Sequence, residues 1–216
     1  MAFIVSECLP SDAESLIMDC DCPALQGNPL HELMFPKRSA EDSEEIILWM
    51  IDYLRPSLSD PRMKWFKACT SDGTVVGFAG WTVPLWAKEP GERGGPSSSR
   101  EPPRALDIRS WLAASRRFAA EKRRVLKDQD AIYRLNTIAV NPAYQGKGVG
   151  STLMAWGCDQ ADKNKADAFV MASPAGLRLY KKFGFEEVGT VHLDTGTITS
   201  MIRRPRSYQL PMGSMN

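Results

Sequence analysis

Val140-Asn141-Pro142-Ala143-Tyr144-Gln145-Gly146-Lys147-Gly148-Val149-Gly150 is the stretch that decides the reading of this chain. It follows an apolar run, Leu135 to Val140, with the character of a buried strand, and precedes a helical pattern from about Ser151 to Lys163. A glycine-rich bend between strand and helix leaves several backbone N–H groups unpaired. It aims them, with the positive end of the helix dipole, at one point, and a diphosphate fits such a point. The glycines at 146, 148 and 150 do not have the G-x-G-x-x-G spacing of a dinucleotide fingerprint, and no G-x-x-x-x-G-K-[ST] string occurs.

Working outward toward the C-terminus, Asp167 to Ser173 reads as a second buried strand. Pro174 opens a short helix, where its missing N–H does no harm, and Gly184 closes it. That helix carries Leu177, Leu179, Tyr180 and Phe183. Phe185 to Val191 and Thr197 to Arg203 alternate as a terminal strand pair around Asp194-Thr195-Gly196.

Two of these stretches, Gln145-Gly146-Lys147-Gly148-Val149-Gly150 with Val140-Asn141-Pro142 ahead of it, and Leu179-Tyr180-Lys181-Lys182-Phe183-Gly184-Phe185, resemble the signature motifs of the GCN5-related N-acetyltransferase (GNAT) family. The resemblance covers roughly Tyr133 to Glu187 and is only topological before that. It implies an α/β (α+β) fold with a mixed, mostly antiparallel sheet flanked by helices. It also implies an acyl-CoA-dependent enzyme, most simply using acetyl-CoA, in which an amine attacks the thioester directly and no metal takes part. Carried over by position, Gln145, Gly146, Lys147, Gly148, Val149, Gly150 and Ser151 would hold the diphosphate. Ile138, Ala139 and Val140 would align the pantetheine arm as an added strand does. Tyr180 would protonate the departing thiolate, a sensible role for a phenol.

The chain departs from the family pattern in two places. Ser173 stands where many relatives carry an asparagine that touches the CoA arm, and a hydroxyl replaces only part of that amide's bonding. The motif strand offers Arg134 and Asn136 but no carboxylate between Ala131 and Val140, so it supplies no general base. The alternatives are His31, Glu32, Asp107, His192, a water chain, or an amine that binds already neutral. The missing carboxylate also keeps open a non-catalytic CoA-binding module, or the same fold turned to carrier-protein acyl transfer or decarboxylation. A peptide or protein acceptor is a further alternative to the small-molecule amine.

The rest of the chain sets the context. Its 216 residues, 43% apolar, 25% charged and with a net charge of +1, suit one globular domain spanning 1–216 and give no case for nucleic acid or an anionic membrane. No apolar stretch is long enough to span a bilayer, and acidic residues come too early for a secretory leader. The five cysteines, Cys8, Cys20, Cys22, Cys69 and Cys158, form no disulfide framework, and a cytoplasmic setting is the expectation. Oligomeric state is left open. Before the motif strand the pattern predicts a strand at 2–7, a helix opened by Ser11-x-x-Glu14 and a loop over 21–38. A helix from Ser39 to Leu54 and a hairpin about Ser71-Asp72-Gly73 follow. Residues 87–104 read as a mobile loop and 105–128 as an extra helix beyond the family core. That helix crowds Arg109, Arg116, Arg117, Lys122, Arg123, Arg124 and Lys127 onto its polar side, either as a solvated face or to attract CoA phosphates or an acidic substrate. Trp81 lies near the end of a strand, where a tryptophan is more often core than pocket, and with Trp86 and Trp111 it suggests an apolar, lidded acceptor pocket.

Overall fold

A computed structural model describes residues 3–36, 39–84, 100–127 and 131–206. Seven strands, β1 (Ile4–Glu7), β2 (Met63–Cys69), β3 (Val75–Thr82), β4 (Ile132–Val140), β5 (Asp167–Ala172), β6 (Glu186–Leu193) and β7 (Gly196–Arg203), form one sheet in the order β1-β2-β3-β4-β5-β7-β6. Every neighbouring pair is antiparallel except β4 and β5. The helices are α1 (Ala13–Ser15), α2 (Cys22–Ala24), α3 (Pro29–Met34), α4 (Ala40–Ser57), α5 (Ile108–Leu126), α6 (Val149–Lys163) and α7 (Leu177–Lys182). This is the mixed, helix-flanked sheet expected. No helix among the described residues is long and apolar enough to cross a membrane.

The first helical region differs from expectation. It starts at Pro10, one residue early, because Asp12 rather than Glu14 reaches back, its carboxylate accepting the Leu9 N–H at 2.7 Å. The chain stays helical through Ala24, by way of a π-helical stretch, Leu16–Asp21, in which Cys22 N–H bonds the Ile17 carbonyl. Pro23 has no N–H for the Asp19 carbonyl, and the Asn141 side-chain amide donates to that orphan oxygen at 2.7 Å. Residues 29–34, also expected as loop, form α3 because the Asn28 side chain accepts the N–H groups of Leu30 and His31. The Ser39 cap of α4 is as expected, its hydroxyl and the Asp42 carboxylate satisfying each other's backbone N–H groups.

Two cores sandwich the sheet. Trp81, Leu135, Leu153, Met154, Val170 and Met201 pack beneath α6 and α7, while Leu16, Ile17, Cys20, Leu54, Trp65 and Phe78 pack beneath the first helices and α4. The inserted helix spans Ile108–Leu126, shorter than the expected 105–128, and residues 100–107 lead into it irregularly. The rest of the expected mobile loop, 87–99, and Trp86 lie outside the described residues. Two cations of α5 dock it on the sheet rather than facing solvent alone. Arg117 donates to the His192 carbonyl at 2.9 Å, and Arg124 to the Val188 carbonyl at 2.8 Å and to Glu121, which also accepts from Ser200.

Trp81 is wholly buried and belongs to the core, not to a pocket. Its indole lies against α6 at Gly157, where an added Cβ would stand 2.3 Å from the ring. Gly157 is therefore required for helix and sheet to meet. Gly157→Ala should lower unfolding free energy by about 2 kcal/mol through overpacking, read from denaturant melts; an unshifted midpoint would mean that the indole can move aside.

Candidate active site

β4 and β5 are hydrogen-bonded only from Ile132 to Leu135 and from Asp167 to Val170. Beyond those residues the two strands continue without pairing, so β4 presents the main chain of residues 136–140 to a wedge. A bulge marks the opening: Leu135 faces Trp81 and Thr137 faces Gly80, leaving Asn136 extra. Ile138, Ala139 and Val140 therefore lie on an edge of main-chain donors and acceptors that β5 does not pair, which is what an extended pantetheine arm needs.

The bend closes the outer end of the wedge. Gln145 donates to the Val140 carbonyl at 3.1 Å, and Gly146 and Gly148 take φ of 73° and 95°. Those angles favour glycine, and a Cβ at either position would meet nothing within 4 Å, so the cradle above them is open. Gly150 serves another purpose, letting Leu179 approach to 3.1 Å of where a Cβ would be. α6 begins at Val149 with Gly148 as its N-cap and no side-chain cap, leaving first-turn amides for a ligand. Lys147 lies 5.1 Å above the Tyr144 ring. A cation that the sequence reading missed, Lys182, donates to Ser151 at 3.1 Å at this helix start, carried there by the last turn of α7. These features fit a diphosphate.

Tyr180 lies at the inner part of the wedge, 5% exposed, with its ring against Phe185. A Cβ on Gly176 would come within 2.5 Å of that ring, so glycine there lets the phenol fold under the preceding turn. Burial pushes the Tyr180 hydroxyl well above the ordinary phenol range, and it keeps its proton. The helix that carries it is anchored by Arg203. That side chain, 3% exposed, bonds Asp162 of α6 twice, at 2.8 and 2.7 Å, and the Phe183 carbonyl at 2.9 Å. Ser173 lines the same space, and its hydroxyl is not used as a helix cap.

The wedge opens into a cleft of about 520 Å³ on the face covered by α3, α4 and α5. Phe35, Trp49, Tyr53 and Trp111 form an aromatic wall, with ring centroids 5.8 to 6.5 Å apart. Of the expected tryptophans, Trp111 alone is in the cleft among the described residues. Among the proposed bases, His31 lines the cleft with its ring against Phe35 at 5.1 Å. The others do not reach it. Glu32 is exposed on α3, His192 is exposed on edge strand β6, and Asp107 is the N-cap of α5, held below the usual carboxylate range by the Ser110 backbone N–H.

Among the described residues, the carboxylate that does line the cleft is Asp21, at the end of the π-helical stretch. It keeps some solvent access, yet protein surrounds it, and this desolvation alone raises its pKa from 3.8 to about 7. Nothing in the local sequence announced it: 21–38 reads as loop, and only the π turn together with Pro23 aims this position inward. Burial also pushes Cys8 and Cys20 up to about 12 and Cys158 to about 11, so none of these thiols is a ready nucleophile.

Residues 112–187, which contain the wedge, the bend and Tyr180, match the family described as "Acetyltransferase (GNAT) domain". That stretch is similar to the GCN5-related N-acetyltransferase family. A protein of Stachybotrys chartarum named "Acetyltransferase" is 26% identical over 196 residues, covering 86% of this chain and 84% of its own length. Among solved structures, a protein described as histone acetyltransferase HPA2 and related acetyltransferase, from Corynebacterium glutamicum, superposes with a TM-score of 0.62 at 17% identity, covering 97% of this chain and 100% of its own. The aminoglycoside acetyltransferase AAC(6')-Ib, held with ribostamycin and coenzyme A, superposes with a TM-score of 0.52 at 17% identity, covering 94% of each chain. At these identities the superpositions show the fold. The GNAT match and the acetyltransferase relative support an N-acetyltransferase.

The buried acid makes a testable signature. Folding raises the Asp21 pKa, so between about pH 4 and pH 7 the folded chain holds a proton that the unfolded chain releases, and stability falls as pH rises through that window. Asp21→Asn removes this slope. The variant should be more stable than the parent at pH 8, with the gap closing below about pH 4 in urea melts. A gap that does not change with pH would place the carboxyl at its ordinary value.

Proposed function

We propose that this protein transfers acetyl from acetyl-CoA to the amine of a small molecule by direct attack, in a cytoplasmic setting. The observation that carries the reading is the continuity of one path. An amide-rich bend, an unpaired strand edge and a protonated Tyr180 follow one another and open into an aromatic-walled cleft. The cleft is of small-ligand size, which favours a compact acceptor over a protein tail. A neighbour of the same fold holding ribostamycin with coenzyme A agrees with that preference.

Bound acetyl-CoA supplies the activated thioester. The first-turn amides of α6, with Lys147 and Lys182 beside them, hold the diphosphate, and residues 136–140 orient the arm between β4 and β5. Asp21 accepts the proton that leaves the ammonium; a carboxylate near 7 is half ionised at neutral pH, where a general base works best. Ile17 and Leu25 line the same cleft and make its surroundings apolar. Tyr180 holds its proton for the thiolate sulfur, and burial ensures that the proton is present throughout the working range.

Thiol release from acetyl-CoA across a panel of amines and peptides tests the reading, with CoA binding followed separately by calorimetry. Tyr180→Phe should reduce kcat by about 100-fold while CoA affinity is retained. Gly148→Val should instead weaken CoA by about tenfold, because a β-branched residue strains at that angle. In Asp21→Asn the rise of kcat/KM through about pH 7 should disappear. Release with peptides alone would reverse the choice of acceptor. Absence of heat with CoA would remove the donor.

A further inference from the structure

Three ring systems of the cleft share one arrangement. Trp49 and Tyr53, four residues apart on α4, stack with ring planes 29° apart and centroids 5.8 Å apart. Trp111 of α5 meets Trp49 at 89°, with centroids 6.2 Å apart. Two perpendicular rings make a corner. A third ring laid in it lies parallel to one and edge-on to the other, and both are favoured aromatic geometries. The corner is not sealed: Tyr53 is 42% exposed and Trp111 half-buried, whereas Trp49 and Phe35 are buried. Phe118, seven residues beyond Trp111 and on the same side of α5, continues the aromatic lining. Charge of one sign is as sparse as ring surface is plentiful. Among the described residues, Asp21 is the single carboxylate lining the cleft. One ammonium can therefore be matched there, and a second would lose its water without gaining an opposite charge.

We infer that the acceptor is an arylalkylamine with one nitrogen, its ring seated in the corner of Trp49 and Trp111 and its amine turned toward Asp21 and the wedge. This rests on the acetyl-transfer reading and names the substrate class for the same site. The nitrogen belongs on an alkyl carbon. An alkyl ammonium complements a carboxylate, whereas a nitrogen bonded directly to the ring is uncharged at neutral pH and forfeits that attraction. Trp, the best of the aromatic faces for a cation, also favours the charged form of the amine on its way in. A flat ring gains from the corner what a saturated ring of equal reach does not, because only the flat one has faces and edges of opposite polarity.

Matched amines test the inference: 2-phenylethylamine and tryptamine against 2-cyclohexylethylamine, which keeps the reach without the π faces, and against spermidine, which carries several amines. Each is assayed for thiol release with acetyl-CoA and, by calorimetry, for binding to the CoA-saturated protein. The aryl amines should be preferred to the cyclohexyl amine by about tenfold in kcat/KM, the scale of a good aromatic pair. They should be preferred to spermidine by about 100-fold, the scale of one unmatched buried charge. Trp111→Leu should bring the aryl-to-cyclohexyl ratio toward one, mainly through KM, and Trp111→Phe should restore much of it. Tyr53→Leu, at an exposed position, should lower the same ratio without threatening the fold. Equal use of aryl and cyclohexyl amines, a ratio that both leucine variants leave intact, or a preference for spermidine overturns the inference while the acetyl-transfer reading stands. Aryl amines that bind in a Trp111-dependent way but release no thiol would support the ring corner and sink the transfer reading. Aryl amines neither bound nor acetylated sink the inference.

Discussion

The separation of β4 from β5 after four paired residues is the constraint on which the rest of the site depends. A parallel pair that stayed zipped would bury its own backbone groups, and the sheet would have nothing to offer an extended ligand. Because the strands part, β4 keeps one side satisfied by β3 and the other free. The Asn136 bulge occurs where pairing with β5 stops, so the twist it adds helps to keep the edge open. The Arg203–Asp162 pair braces the far side of the gap, tying β7 to α6 and to the end of α7.

Much of the bend and wedge was legible in the sequence because it is local. Gly146 and Gly148 are required by their own φ angles, and Pro174 and Gly184 frame α7 in a way visible in a dozen residues. Tyr180, Ser173 and the strand edge follow from chain order once the bend is placed. Lys182 was less visible, since its approach to Ser151 is a contact across 31 residues of sequence. The two alternating runs around Asp194-Thr195-Gly196 also gave the terminal hairpin, β6 and β7, close to its observed limits.

The aromatic cleft was not legible, for physical reasons that can be named. The first helices deviate from regular α-geometry, and a π stretch changes which residues face inward without altering composition. Asp21 consequently reads as an ordinary loop acid. Pro23 looks like a helix breaker, yet the helix passes through it because Asn141 satisfies the Asp19 carbonyl that proline leaves bare, from 122 positions beyond Asp19 in sequence. Trp81 is open between core and pocket in the sequence because a tryptophan in a strand carries no mark of which face it takes, and this one faces α6 in the core, the reading a strand favours. The basic helix α5 docks on the sheet through Arg117 and Arg124, a choice among its cations set by its rotation on the sheet.

The arrangement of α5 has an evolutionary consequence. The bend, the unpaired strand edge and Tyr180 come from one uninterrupted run after residue 131, whereas one wall of the cleft comes from α5, inserted between β3 and β4. Changes to that wall alter what is recognised without touching the residues that grip the carrier. A lineage can therefore acquire new chemical tastes by editing one helix, keeping its donor chemistry as inherited.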